Sequence, residues 1–336
     1  MNSILTHPVV GDEVLGGGFD GDQTGPIIRD WQPHHASLFG EHILHLKHRL
    51  ATSELFSDEG LARLIEATPV EHCYVNTMDR RSHNPRSRRE GAIDGLTGMQ
   101  ALEAVRAGNI WINIHKLTQT DQRYQSLLDE IFAEFEDKVP GLKTYKHSMT
   151  LLISSPKVQV YYHCDVPGQM LWQLRGTKRV YVYPNAAPFL TQPAMERIVL
   201  GESHETAMPY EPWFDDYAEA IDLKAGEMVY WPLNCPHRVV NHDCLNVSLT
   251  TEHWTDPLRN VYAVNFANGV IRRTLKPKTL ARTTSGPGFY AKAGLAAAWK
   301  LAGLQKKRQR VRTIDFAVDP NAPDGLRDIP AYIASR

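Results

Sequence analysis

The chain has 336 residues and a nearly balanced charge, with 37 lysines and arginines against 38 aspartates and glutamates, and 42% of its residues are hydrophobic. This composition is typical of a globular protein, and the length suits two domains or one large β-rich domain with appendages. The four cysteines are too few and scattered for a disulfide framework, and the apolar runs are too short for a membrane span. With no secretory leader recognisable, we expect a reducing, cytoplasmic location.

Residues 1–35 are rich in glycine and lack periodic apolar residues, so we expect an irregular arm. Gly16, Gly18 and Gly21 match the GxGxxG pattern of dinucleotide-binding loops. The segment that follows has no helical pattern, so the helix N-terminus that holds a pyrophosphate in such sites is not predicted. The match therefore carries no functional prediction.

Residues 36–143 predict an α/β part that packs on the rest of the chain. The stretch HILHLKHRL alternates apolar and polar residues, as a half-buried strand does. Ser57 is predicted as the N-cap of an amphipathic helix in SDEGLARLIEAT. A second helix is expected from about Asp121 to Glu136, because YQSLLDEIFAEFEDKV repeats apolar residues at helical spacing and ends before Pro140.

Residues 144–256 change to short alternating runs separated by tight turns, namely SMTLLISS, VQVYYHCD, QMLWQLRG, KRVYVYP, EMVYWP and LNVSLTTEHW. This texture predicts an antiparallel sandwich or barrel and not parallel βαβ units, so the fold class is mainly β. Residues 257–336 predict a basic, helical C-terminal region, which is clearest in AKAGLAAAWKLAGLQKKRQRV.

The balanced total charge hides an asymmetry. Between Asp256 and Asp315 the chain has thirteen basic residues and no acidic one, and since the whole carries −1, the remainder carries −14. Such a basic region fits nucleic acid, an acidic partner, the body of its own chain or a second copy. Contact within the chain or in a homodimer is favoured over nucleic acid, because like charge alone does not identify a partner, and no membrane partner is expected.

His163 and Asp165 lie at the end of an alternating strand and, being two residues apart, point to the same face. His237 comes much later, after another strand and the turn PLNCPH. Two imidazoles and one carboxylate form a facial triad that leaves coordination positions open, which suits non-haem Fe(II). A structural zinc site is normally closed by four ligands, and Cys164 points to the opposite face. We therefore predict that His163, Asp165 and His237 bind a catalytic metal.

The segments YYHCDVPGQMLWQLRGTKRVYVYP and GEMVYWPLNCPHRVVN, which carry these residues, resemble the core of the JmjC and cupin-like Fe(II)/2-oxoglutarate dioxygenases. The likeness is greatest to the branch of the asparaginyl hydroxylase that acts on hypoxia-inducible factor, and it covers roughly Thr150 to Trp254. It implies a double-stranded β-helix, or jelly roll, with flanking N- and C-terminal helices. It also implies Fe(II) on the HxD motif and the distal histidine, with 2-oxoglutarate and O2 as cosubstrates and succinate and CO2 as products.

The resemblance further implies residues that hold 2-oxoglutarate. Lys178 matches the basic residue that binds the far carboxylate of the cosubstrate, and alternation turns Arg179 to the other face. Gln169 stands where an amide residue is often found near the cosubstrate.

One position departs from the family pattern. Three places before the first metal ligand, where the family often has a hydroxyl residue, this chain has Val160. Tyr161, or Tyr162 if the strand is bulged, is then expected to hydrogen-bond the cosubstrate. Other side chains on one face of the last core strand are candidates for contacts around the site, namely Asn246, Ser248, Thr250 and Glu252. His242 and His253 are interpreted as structural or surface histidines.

The segment 191–222 lies between the strands of Lys178 and His237, and we expect it to overhang the site, either as an acidic receptor for a basic or peptide substrate or as a solvated lid. Three functions stay open. The favoured one is hydroxylation of a protein side chain or small molecule, because no aromatic cage for a methyl-ammonium group can be read from the sequence. The others are JmjC-type N-methyl demethylation with release of formaldehyde, and a non-enzymatic cupin-like binding or regulatory protein.

Overall fold

The computed structural model of the protein describes residues 24–305 and 311–334. The glycine pattern at Gly16, Gly18 and Gly21 lies outside the described residues. The α-helices are α1 (His35–Leu38), α2 (Asp58–Ala67), α3 (Gly98–Ala107), α4 (Leu117–Thr120), α5 (Gln122–Lys138), α6 (Gln192–Val199), α7 (Asp256–Leu275) and α8 (Gly286–Leu301).

The strands in the same residues are β1 (Leu44–Lys47), β2 (Cys73–Thr77), β3 (Arg89–Ala92), β4 (Trp111–Ile114), β5 (Tyr145–Ser154), β6 (Gln159–His163), β7 (Gly168–Arg175), β8 (Thr177–Val182), β9 (Glu219–Lys224), β10 (Glu227–Tyr230), β11 (His237–Asn241), β12 (Asn246–Trp254), β13 (Thr313–Val318) and β14 (Leu326–Ile333). Helices and strands therefore alternate in the first third of the described chain, strands dominate the middle, and the last part contains both.

The centre of the molecule is a double-stranded β-helix of eight antiparallel strands, as predicted. Strands β5, β7, β10 and β12 belong to one sheet, in the order β10, β7, β12, β5, and the second sheet has the order β6, β11, β8, β9. Between the two sheets lies an apolar interior that includes Leu171, Val180, Val229 and Val239. The fold class inferred from the sequence is confirmed.

The first of these sheets is extended at both edges to ten strands. Strand β1 pairs with β10, while β4, β2, β3, β13 and β14 continue from β5 in that order. The two helices that the sequence predicts before the core, α2 and α5, pack on this sheet's outer face around a cluster that includes Leu61, Phe132 and Trp172. The Ser57 hydroxyl accepts a hydrogen bond from the backbone N–H of Gly60 at 3.0 Å, so the predicted N-cap is present.

The C-terminal region is not helical throughout, and on this point the sequence-based prediction is wrong. Helices α7 and α8 form as expected, but β13 and β14 follow them and join the large sheet, with β13 parallel to β3. Phe316 of β13 is fully buried and lies over Gly91, where an added Cβ would meet its ring at 2.2 Å. The partner strand is more than 200 residues away along the chain, so local periodicity could not reveal this pairing.

Three cations of the basic C-terminal region form ion pairs with the acidic body of the same chain. Arg272 pairs with Glu196 at 2.6 Å, Arg273 with Glu202 at 2.8 Å, and Arg312 with Glu90 at 3.2 Å. Contact within the chain, one of the alternatives left open for this region, is thus observed. Within the described part of the chain, no helix combines the length and the apolar character needed to cross a membrane.

Candidate metal centre and adjoining cavity

His163, Asp165 and His237 converge at one end of the β-helix. His163 ends β6, His237 begins β11, and the two residues pair directly across these strands. Each residue presents one ligand atom, and these atoms all lie within 4.8 Å of one another. The Asp165 carboxylate is 3.2 Å from Nε2 of His237 and 3.9 Å from Nε2 of His163. Two imidazoles and one carboxylate on one side suit a divalent transition metal with open positions opposite.

Backbone carbonyls orient both imidazoles toward the same point. Nδ1 of His163 lies 2.7 Å from the carbonyl oxygen of Tyr161, and Nδ1 of His237 lies 3.1 Å from that of Cys235. A carbonyl oxygen only accepts, so each Nδ1 carries the proton and donates. In the neutral form of each imidazole this leaves the Nε2 lone pair on the side of the carboxylate, which is the tautomer that a metal needs.

The protonation energetics of the ligands favour a cation at this point. Burial lowers the pKa of His237 well below its usual value, and neighbouring His163 adds to the effect, so His237 is neutral and able to ligate. Burial raises the pKa of Asp165 well above its usual value, as do the carboxylates of Glu205 and Glu252. A divalent cation compensates both groups, because it stabilises the ionised carboxylate and accepts the imidazole lone pair.

Gln169 lies beside the metal centre on β7. With its side-chain amide oriented to donate, it hydrogen-bonds the Asp165 carboxylate. Gln169 pairs across the sheet with Glu252 of β12, whose carboxylate accepts from the Ser148 hydroxyl at 2.8 Å. The structure therefore places Gln169 next to a predicted ligand, where it fixes the carboxylate. Asn246 and Ser248 are engaged further along the barrel, each within 2.6 Å of the Gln173 amide.

Lys178 lies inside the β-helix and is only 3% exposed. It shares the inner face of β8 with Val180 and Val182, and Val182 pairs with the ligand His237. Burial lowers the pKa of Lys178 to about 7, and among the described residues no carboxylate forms an ion pair with it. Arg179 points outward to Asp222, as alternation predicts.

A β-bulge in β6 decides which side chains face the interior. The register with β11 shifts so that Val160 pairs with Val239 and faces inward three places before His163. The Tyr161 hydroxyl is 2.6 Å from that of Ser87. The Tyr162 hydroxyl donates to the carbonyl of Phe189 at 2.8 Å, under the insertion and away from the metal centre. Tyr162 is therefore not available to a cosubstrate, whereas Tyr161 still lines the cavity described next.

A cavity of about 830 Å³ opens onto the metal centre at His163. Its other walls come from Val160 and Tyr161 of β6, from β2, β3 and β4 of the extended sheet with residues next to these strands, from the insertion, and from Val311 before β13. Lys178 is not in its wall. The side chains from β4 are Trp111 and Asn113. The sequence interpretation missed these residues, because only the pairing of β4 with β5 brings them to the core. Their alternation with Ile112 and Ile114 is nevertheless a strand signal that can be seen in the sequence.

The insertion 191–222 overhangs the centre, as expected, and its acidic residues have different roles. Glu205 lines the cavity. Asp215 accepts hydrogen bonds from the Tyr183 hydroxyl at 2.5 Å and the Tyr210 hydroxyl at 2.9 Å, and it forms an ion pair with Arg238. Arg238 follows the ligand His237 directly and is 7% exposed. Asp215 thus fastens the insertion to the strand that carries a ligand, and it does not receive substrate.

The remaining histidines singled out by the sequence are structural, as predicted. His253 is buried among aromatic rings on the outer face of the large sheet, and burial lowers its pKa to about 4. His242 is exposed and pairs with Asp222 at 2.9 Å.

A family model matches most of the chain. Residues 23–258 match the family model described as a cupin-like domain. The structure of the Escherichia coli protein YcfD, a ribosomal oxygenase, shares 13% identity at a TM-score of 0.45 and covers 82% of this chain and 68% of its own. A YcfD structure with cobalt and 2-oxoglutarate shares 13% identity at a TM-score of 0.44, with the same coverage.

The non-haem α-ketoglutarate-dependent carbocyclase SnoK from nogalamycin biosynthesis shares 14% identity at a TM-score of 0.41, covering 68% of this chain and 87% of its own. These solved structures are distant and add nothing about the activity of this chain. No curated protein shows significant sequence similarity to the chain.

Proposed function

The chain belongs to the cupin-like domain family, and from this membership and its metal centre we propose that it is an Fe(II)- and 2-oxoglutarate-dependent oxygenase. The reaction is hydroxylation of a C–H bond in a protein side chain or small molecule. The observation that carries the proposal is the convergence of His163, Asp165 and His237, whose ligand atoms all lie within 4.8 Å of one another. When bound, Fe(II) supplies, with 2-oxoglutarate and O2, the oxidising chemistry that releases succinate and CO2.

Lys178 is the proposed anchor of the far carboxylate of 2-oxoglutarate. Lys178 lies four residues before Val182 on β8, and Val182 pairs with His237. Four residues correspond to about 13 Å along the strand. An extended lysine side chain and a diacid placed end to end span such a distance. A buried ammonium without a carboxylate partner is costly, and an anionic ligand removes the cost. Gln169 holds Asp165, and Tyr161 is the proposed hydroxyl contact.

The test compares wild-type protein with the variant His163→Ala under Fe(II), 2-oxoglutarate and O2. Wild type should bind one Fe(II) and form succinate, and the variant should lose both, because two remaining protein ligands hold the metal weakly. Undiminished succinate formation in His163→Ala would contradict the proposal. His242→Ala is the matched control, since His242 is an exposed histidine away from the metal centre, and it should retain full succinate formation.

The same assay separates the other functions. Formaldehyde released in proportion to succinate would identify an N-methyl demethylase. Absence of both succinate and metal binding, together with salt-dependent nucleic-acid binding, would favour a binding protein instead.

For partners, we propose a homodimer through the outer face of α8. Tyr290 and Leu301 on this helix are 71% and 90% exposed, whereas its two lysines are turned to the chain itself, Lys292 toward a backbone carbonyl and Lys300 over the ring of Tyr262. An uncharged exposed face suits pairing with an identical face better than it suits nucleic acid. Molar mass from light scattering tests this.

We also propose a cytoplasmic location, which the four unpaired cysteines support.

A further inference from the structure

Glu205 of the insertion presents a carboxylate to the cavity beside the metal centre. It lines this cavity together with His163. Among the described residues, no group forms an ion pair or a hydrogen bond with its carboxylate. Glu205 is half-buried, and its carboxylate oxygens are not among the fully buried side-chain atoms that lack a hydrogen bond, so they stay accessible. A molecule that enters the cavity can therefore reach this carboxylate.

A short turn fixes the position of this side chain. The turn is a single piece of 3₁₀-helix, Glu205–Ala207, in which Nδ1 of His204 accepts from the backbone N–H of Thr206 at 3.2 Å. It packs against β6, the strand that ends in His163. Directly after the turn, Met208 is buried in the apolar cluster under the insertion. The carboxylate is thus held beside the metal-binding end of the β-helix.

Glu205 is not one of the metal ligands. The ligand atoms that lie within 4.8 Å of one another come from the two histidines and Asp165. Burial raises the pKa of Asp165 and of Glu252, and the negative charge of Glu205 adds to both shifts. Glu205 therefore lies outside the set of ligands and within electrostatic reach of the metal centre.

The arginines around the cavity are committed to other groups. Arg88 in the cavity wall donates to Asn76 at 2.8 Å and pairs with Glu90 at 3.0 Å. Arg312 pairs with the same Glu90 at 3.2 Å. Neither arginine forms an ion pair with Glu205. The carboxylate of Glu205 is left to a cation that comes from outside.

The charges expected at the loaded metal centre cancel without Glu205. Under the proposed function, Fe(II) and the Lys178 ammonium together balance Asp165 and the two carboxylates of 2-oxoglutarate. Glu205 then adds a surplus negative charge on the side that faces the cavity. Such a charge attracts a cation and repels a second anion.

We propose that Glu205 binds a positively charged N–H group of the prime substrate, an ammonium or a guanidinium. This inference rests on the proposed function, because the cavity is its substrate side. A carboxylate only accepts, and charged N–H groups are its strongest donors, so a quaternary ammonium fits less well. The substrate class is a molecule with a protonated amine or guanidine near the oxidised carbon, such as a lysine or arginine side chain.

The test uses the full chain loaded with Zn(II) and 2-oxoglutarate, which do not react, in NMR titrations with small probes. The probes are the Nα-acetylated amides of arginine, lysine, citrulline and norleucine. Citrulline keeps the shape of arginine without its charge, and norleucine does nearly the same for lysine. At least one cationic probe should bind about tenfold more tightly than its neutral counterpart, because it gains a charge-assisted hydrogen bond. The cation with the larger preference identifies the group, guanidinium or ammonium.

Variants show whether Glu205 causes this preference. Glu205→Gln keeps the shape and removes the charge, so the preference should disappear while the neutral probes bind as they do to wild type. A merely structural role would weaken charged and neutral probes alike. Glu211→Gln, the matched control, removes an exposed carboxylate of the same insertion outside the cavity wall and should keep the preference.

Two results would overturn the inference: no preference of wild type for either cationic probe over its neutral counterpart, or a preference that persists in Glu205→Gln. Neither result bears on the proposed oxygenase activity, because binding of Zn(II) and 2-oxoglutarate is measured before the probes are added. Failure of that loading step would instead contradict the proposed function itself.

Discussion

Lys178 is a lysine placed where water cannot solvate it, and this determines its response to substitution. Replacing it by methionine keeps the length of the side chain and removes the charge. In Lys178→Met we expect the Kd for 2-oxoglutarate to rise about 10- to 100-fold, because one charge-assisted hydrogen bond is lost. The affinity for Fe(II) should change little. Titration calorimetry with Mn(II) in place of Fe(II) measures both.

Arg179→Met is the matched control for that substitution. Arg179 is the next residue on the same strand, it points outward, and its partner is the exposed Asp222. We expect it to leave the Kd for 2-oxoglutarate unchanged. If the two variants weaken binding equally, the anchor is not Lys178.

The lowered pKa of Lys178 also predicts a pH dependence. Burial brings this pKa from 10.5 to about 7, so above pH 7 the free protein must take up a proton to bind an anion there. The Kd for 2-oxoglutarate should rise about tenfold per pH unit above that value and stay flat in Lys178→Met. Between pH 7 and 10.5, Lys178 of the ligand-free protein is mostly deprotonated in the folded state and protonated in the unfolded state. The free energy of unfolding therefore rises with pH across this range, and the destabilisation caused by burying Lys178 becomes smaller.

At the scale of elements, the insertion 191–222 is held in place by polar contacts on two sides. Asp215 accepts from Arg238, Tyr183 and Tyr210 on one side, and Arg272 and Arg273 of α7 pair with Glu196 and Glu202 on the other, in addition to the apolar packing under the insertion. Because Arg238 adjoins the ligand His237, the position of the insertion and that of the metal centre are linked through one residue.

Asp215→Ala should therefore destabilise the protein by about 3 kcal/mol, because it leaves the Arg238 guanidinium buried without its counter-ion. Urea unfolding gives the free energy, and limited proteolysis should show faster cleavage within 200–217. Asp216→Ala removes the neighbouring exposed carboxylate and should change neither quantity beyond about 0.5 kcal/mol. Equal stability of the two variants would show that the Asp215 cluster does not hold the insertion.

For the whole molecule, the basic C-terminal region is part of the main sheet and not an appendage. Strand β13 crosses the acidic body beside β3, and Arg312 reaches Glu90 next to the cavity. Three of its cations are thus paired with carboxylates of the acidic body of the same molecule.

Phe316→Ala should lower the free energy of unfolding by about 3–5 kcal/mol, the usual cost of deleting a fully buried aromatic ring. Ile333→Ala on β14, where the side chain is 71% exposed, should cost less than about 0.5 kcal/mol. Chemical unfolding of both variants checks this. A small loss in Phe316→Ala would mean that β13 docks weakly and that the main sheet ends at β3.

The sequence by itself determined the strand-rich core, the cap of α2 and the metal triad, because alternation, capping and the HxD spacing are local and each specifies a face or an end. It also indicated that Lys178 faces inward and Arg179 outward. Only the tertiary structure decided the bulge that turns Val160 inward, the docking of β13 beside β3 and the placement of Trp111 and Asn113 on the cavity wall. These depend on pairing between strands distant in the chain, and such register is set by packing across the sheet, which a single segment does not encode.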